Sequence, residues 1–172
     1  LATQSYFDPR QGLRGLEGVR EIIPDPDDLD RRLKRVRVRL PADWNSPTPW
    51  EDLATRLAAH PSVLAIVNTR RQARELHRLM PEDTLHLSAL MCGAHRSEVI
   101  ADIKARLAAG TATRVVSTQL VEAGVDLDFP VVYRALAGLD SIAQAAGRCN
   151  REGRLNTGEV VVFVPPKPPP PG

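Results

Sequence analysis

Apolar positions along the chain fall into two alternating kinds of run. The segment 62–67 is almost wholly apolar, as in a parallel strand covered on both faces, and short strands are also predicted at 84–88, 113–117, 131–135 and 159–164. Between them, 70–80, 97–109 and 141–146 read as helices with one buried face. In 97–109 the inward set is Val99, Ile100, Ile103 and Leu107, with Gly110 after the last turn. Upstream, Val36, Val38 and Leu40 alternate with Arg35, Arg37 and Arg39, which predicts a half-buried first strand over 31–40. Thr48, Pro49 and Glu51 then have the chemistry of an N-cap, a first helical position and a capping box. Trp50, Leu53, Ala54, Leu57 and Ala58 supply the buried stripe of the helix they start.

Strand and helix thus alternate with short connections. Parallel neighbours need a crossover, usually a helix, so the pattern predicts an α/β domain with a central, mainly parallel sheet flanked by helices in three layers. Sheets of this kind bind ligands at the carboxyl ends of their strands. The polar groups that matter are therefore Asn68 and Thr69, Ser88, residues 118–126 and residues 136–141.

Composition narrows the picture. A chain of 172 residues with 42% apolar content builds one core. With 23 basic and 21 acidic residues the net charge is only +2, so any nucleic-acid contact must be local. Two cysteines, Cys92 and Cys149, exclude a disulfide scaffold. No secretory signal or run of membrane-spanning length is apparent, which predicts a reducing, cytoplasmic setting with no membrane partner. Residues 1–30, opening on Leu1, are expected to be a linker or partly disordered leader cut from a longer protein, 31–164 the folded domain and 165–172 a Pro-rich tail. The basic residues of 31–39 follow the acidic stretch 25–30, so mutual neutralisation on a solvated face is expected rather than a phosphate track.

Two stretches carry polar residues that packing does not ask for. In 115–132 a buried strand gives way to Thr118, Gln119, Gly124 and Asp126. Thr118 and Gln119 suit a phosphate oxygen or a helix cap, Gly124 permits close backbone approach, and Asp126 can accept from a sugar hydroxyl. An ordinary strand-to-helix loop capped by Thr118 fits the same residues. In 144–153, Gln144, Arg148 and Arg151 share one side if the stretch forms a helical turn. Two guanidiniums and an amide there suit the charge that develops on a transferring phosphoryl group, and such arginine fingers are commonly supplied by a neighbouring domain. A solvated basic turn paired with Glu152 and Glu122 is the plainer account.

In this order, the two stretches resemble motifs V and VI of the superfamily 2 helicases, with 115–128 as the first and Gln144, Gly147, Arg148 and Arg151 as the second. Ile66, Val67, Asn68 and Thr69 resemble motif IV, and Leu87 and Ser88 with His95 and Arg96 the nucleic-acid-contacting element that follows it. The wording STQLVEAGVDLDFP and LDSIAQAAGRCNREG is most similar to the CRISPR-associated helicase-nucleases of type I interference, and the whole resemblance spans 62–164. It implies a RecA-like fold, the second of two in a motor. It implies Arg151 as the finger, Arg148 beside it, Gln144 orienting water or a phosphate oxygen, and Gly124 and Asp126 at the ribose. Asn68, Thr69, Ser88, Thr118 and Gln119 would follow the nucleic-acid backbone. For the whole protein it implies ATP with Mg as cofactor and single-stranded DNA as track. A first RecA-like domain and an HD nuclease domain in the same parent chain, and an RNA-guided surveillance complex, are the partners it implies. One position departs from the pattern: Ala145 stands where the superfamily often has a basic residue, leaving Gln144, Arg148 and Arg151 to face phosphate.

No Gly-rich loop ending in Lys and Ser or Thr occurs, and no acidic run follows a strand in a way that could hold magnesium. The chain is therefore expected to hold half an ATP site and not to hydrolyse ATP alone. His86, Cys92 and His95 lack a convincing fourth ligand, so no metal site is predicted. Two further readings stay open. One is a different superfamily 2 motor, such as a repair helicase or a restriction translocase; the other is a catalytically inert RecA-like interaction module.

Overall fold

The computed structural model describes residues 25–121 and 125–166. Compact units divide between Leu33 and Lys34. In the first, the described part is helix α1 (Pro26–Leu33). Asp25 Oδ1 accepts from the Asp28 N–H at 2.9 Å, and Arg31 and Arg32 reach the Asp28 carboxylate at 3.6 and 3.8 Å. Residues 31–33 are thus helix and not the predicted strand. Acids in the first turn and arginines in the last complement the helix dipole, and within 31–33 the single apolar residue, Leu33, gives alternation no weight.

The second unit is built on β1 (Val36–Arg39), β2 (Ser62–Val67), β3 (Leu85–Leu87), β4 (Thr113–Thr118), β5 (Val131–Ala135) and β6 (Gly158–Phe163). They form one sheet in the order β1-β6-β5-β2-β4-β3, and every ladder is parallel. Helices α2 (Trp50–Ala58) and α3 (Arg70–His77) pack on one face, α4 (Gly93–Ala108) and α5 (Leu139–Ala146) on the other. The three predicted layers are present. Strand β2 shows why its run is apolar throughout. Val63, Ala65 and Val67 join Leu53, Leu57, Ala73 and Leu76, while Leu64 and Ile66 join Ile103, Val132 and Ala145 on the opposite side.

Differences from the sequence pattern concentrate at element ends. β1 is an edge strand paired with β6, and Val38 and Leu40 are 42% and 56% exposed, so only Val36 of the alternating set packs against the core. Pro49, not Thr48, is the N-cap of α2, without a side-chain cap; the Thr48 N–H instead donates to Val164 O at 2.8 Å. Helix α4 begins at Gly93 rather than Ser97, and of its inward set only Ile103 is fully buried. Its end is a Schellman motif. Gly110 adopts φ 68°, its N–H reaches Leu107 O, and the Thr111 N–H reaches Arg106 O. Among the described residues no helix is long and apolar enough to cross a membrane.

Candidate functional site

With all strands parallel, Asn68, Ser88, Thr118 and Leu136 sit at one edge of the sheet, the carboxyl edge. Several of their polar groups are already engaged. Asn68 Nδ2 donates to Leu136 O at 2.8 Å, and its Oδ1 accepts from Arg134 Nη1 at 2.6 Å. Thr69 is the N-cap of α3: its hydroxyl accepts from the Gln72 N–H, and Gln72 Oε1 accepts from the N–H groups of Asn68 and Thr69. Ser88 is buried and its carbonyl accepts from Met91 N–H. Thr118 is buried opposite Val67, with its carbonyl taken by Ser117 Oγ. Gln119, which opens the 3₁₀ turn Gln119–Val121, is exposed. Gly124 and Glu122 lie outside the described residues.

The second cluster forms at the opposite end of the sheet. Residues 125–128 run extended into β5, and their period-two alternation sends Leu127 and Phe129 into the core while Asp126 stays exposed and Asp128 half-exposed. Phe129 then pairs in parallel with Cys149: its N–H donates to Arg148 O at 2.9 Å, and the Asn150 N–H donates to Phe129 O at 2.9 Å. This bridge brings the segment after α5 to the amino end of β5. Asp126, expected among the carboxyl-end groups, is therefore placed elsewhere, because the chain crosses the domain between Thr118 and Val131 to begin another parallel strand.

The same bridge corrects the expectation that Arg148 and Arg151 share a helical turn. α5 stops at Ala146, Cys149 is buried in the core, and Asn150 takes the left-handed region at φ 46°, which Asn tolerates better than most residues. Asn150 Nδ2 donates to Arg35 O and Leu155 O, and its Oδ1 accepts from the Leu155 N–H, so the turn is pinned by one side chain. Burial pushes the Cys149 thiol up to about 12, and it donates weakly to Pro130 O and Glu159 O at 3.4 Å. Gly158 lets β6 pass beside this turn, since a Cβ there would lie 2.5 Å from Cys149 Sγ.

Charge gathers around the turn. Arg151 Nε meets Asp126 Oδ1 at 2.9 Å, with both side chains about half exposed or more. Asp128 holds the backbone beneath it, accepting from the Arg151 N–H at 2.7 Å and the Glu152 N–H at 3.4 Å. Arg35 Nη1 donates to Arg151 O. Burial first, then the Arg151 charge, lower the Arg148 guanidinium from its ordinary range, while Asp126 pulls it back up. Arg148, Arg151 and Asp126 thus share one electrostatic neighbourhood, and Gln144 stands exposed on the last turn of α5. Three residues escaped the sequence reading: Asp128, Asn150 and Arg134. A period-two acidic pair was the signal for Asp128, and an arginine inside a strand of apolar residues the signal for Arg134. Among the described residues no group of three or more His, Cys, Asp or Glu is placed to hold a metal ion.

A wholly parallel six-stranded sheet covered on both faces by helices is the three-layer architecture that RecA-like domains share. Residues 59–154 match the family described as CRISPR-associated nuclease/helicase Cas3, C-terminal, and the chain belongs to that family. It is 58% identical over 52 residues to the CRISPR-associated nuclease/helicase Cas3 of Haloferax volcanii, covering 29% of this chain and 6% of that protein. Among solved structures it is similar to T. fusca Cas3-ATP, with 25% identity and a TM-score of 0.60 over 78% of this chain and 18% of the other. It is similar too to a chain of the CRISPR RNA-guided surveillance complex, pre-nicking, with 26% identity and a TM-score of 0.57 over 78% and 19%. The chain therefore spans a small fraction of the length of the proteins it matches.

Proposed function

We propose that this chain is the second motor domain of an ATP-driven DNA helicase-nuclease of the Cas3 kind, closing on a first motor domain across the arginine turn. The observation that carries the reading is the grouping of Arg148 and Arg151, on the turn after α5, with Asp126 of the segment before β5, Arg151 Nε being held 2.9 Å from Asp126 Oδ1. Asp128 fixes the backbone of Arg151 and Asp126 orients its guanidinium, so the finger is presented in a defined direction. A preorganised cationic fork of this kind stabilises charge that grows on phosphoryl oxygens without reorganising at the moment of reaction. Arg148 adds a second cation, and Gln144 offers an amide that can align a water molecule. Asp126 is an acceptor suited to a ribose hydroxyl.

These donors fit one wall of a nucleotide site. The phosphate-binding loop and magnesium ligands are not in the sequence and belong to the first motor domain. Bound ATP with Mg supplies the phosphoryl group whose transfer drives opening and closing. Gly124 belongs with Asp126 in this reading, and Asn68, Thr69, Ser88, Thr118 and Gln119 with a single-stranded DNA track along the carboxyl edge. There the buried groups shape the edge while Gln119 is exposed to touch it. The same reading makes 31–164 the motor domain between a leader and a Pro-rich tail. It adds an HD nuclease domain in the parent chain, an RNA-guided surveillance complex as recruiter and a cytoplasmic site of action. The names of the relatives, a nuclease/helicase and a chain of an RNA-guided surveillance complex, support the nuclease and the recruiter.

The test is ATP turnover by the intact parent with single-stranded DNA. Arg151→Ala is expected to lower it roughly 10³-fold or more, and the isolated chain is expected to show none. Unchanged turnover in the variant would leave the inert interaction module as the better account.

A further inference from the structure

Arg134, near the carboxyl end of β5, is fully buried at 0% exposure. A guanidinium stays charged in a protein interior, and its desolvation is costly, so a buried one signals a geometric requirement that an apolar side chain would not meet. The ladder already registers Arg134 against Ile66 of β2 without help from the side chain. What the guanidinium adds is orientation: Nη1 donates to Asn68 Oδ1 at 2.6 Å and to Ala135 O at 2.8 Å. With its Oδ1 so fixed, the Asn68 amide must turn Nδ2 outward from Arg134, and it donates to Leu136 O at 2.8 Å. The Asn68 N–H is in turn held by Gln72 Oε1 of α3. One continuous set of hydrogen bonds therefore ties the loop leaving β2 to the loop leaving β5. The first loop carries Asn68 and Thr69; the second leads through α5 to Gln144, Arg148 and the finger turn.

We infer that Arg134 is a positioning residue that couples the strand-facing loop at Asn68 and Thr69 to α5 and the arginine turn. The inference rests on the motor reading above. Coupling through such a network acts on the response of one site to occupancy of the other rather than on either site alone. Its removal should therefore separate DNA binding from ATP turnover.

The experiment measures ATP turnover by the intact parent against the concentration of a single-stranded oligonucleotide, for wild type, Arg134→Met and Arg134→Lys. Arg134→Met is expected to raise the half-stimulating DNA concentration or cut the maximal stimulation by roughly tenfold. DNA-free turnover should stay within about twofold of wild type, since the finger is untouched. Arg134→Lys keeps the charge and one donor, and should fall between the two. If Arg134→Met does not fold, Arg134→Lys carries the same measurement. Stimulation unchanged in either folded variant, or DNA-free and stimulated turnover falling by one common factor, overturns the inference while leaving the motor reading intact. A wild-type parent that DNA does not stimulate overturns both.

Discussion

At the carboxyl edge of the sheet, Thr118 and Ser88 are buried, Asn68 is bonded through both ends of its amide, and Thr69 is committed to capping α3. At the amino end of β5, Asp126 and Arg151 are 65% and 48% exposed and contact each other as an ion pair. Both regions were singled out by polar residues in unexpected places. Their physical states teach that the same signal marks two things: groups taken into the edge of the sheet, and charged groups left exposed at the surface. Neutral residues bonded internally belong to the first kind, charged residues on a backbone fixed by other residues to the second.

Substitutions can break or sharpen this division. The largest effect is expected at the turn, where Arg151→Ala should cost the parent roughly 10³-fold in turnover while shifting the melting temperature of this chain little, because the side chain is half exposed. Next is the core that carries both regions. Ile66→Ala, at 0% exposure on β2, should destabilise the chain by about 2–5 kcal/mol in a urea titration. Thr69→Ala removes the cap of α3 and should cost about 1 kcal/mol in the same titration; no loss of stability would mean that the edge residues are freer than their bonding indicates. Smallest in stability is Asp126→Asn, which breaks an exposed ion pair of roughly 0.5 kcal/mol or less. Yet it should raise the KM for ATP in the parent more than it raises the KM for a 2′,3′-dideoxy analogue. Equal effects on the two nucleotides would remove Asp126 from the ribose.

The fold was legible where local pattern and burial coincide. β2 and β5 were recognised at their observed limits, and α5 and β6 within two residues, because their apolar runs are buried from both sides or at regular spacing. The errors have nonlocal causes. Val38 and Leu40 alternate as if half-buried, yet their strand lies at the sheet edge. Arg148 and Arg151 have helical spacing, but the pairing of Cys149 with Phe129 and the left-handed Asn150 replace the helical turn between them, and neither is visible to a window of neighbouring residues. The residue types of the candidate site were readable. Their division between opposite ends of the sheet was not, because it depends on where the chain crosses between strands β4 and β5.

The order of the strands also bears on how the domain is made. Among the described strands β1 leaves the ribosome first, but its ladder partner β6 leaves last, with Val36 set against Gly158. Until that final segment emerges, the nascent chain carries β1 unpaired and the flank of β5 bare, an invitation to association with other chains. A premature stop anywhere before Gly158 would therefore release a sheet with an open seam, and quality control rather than catalysis would decide its fate.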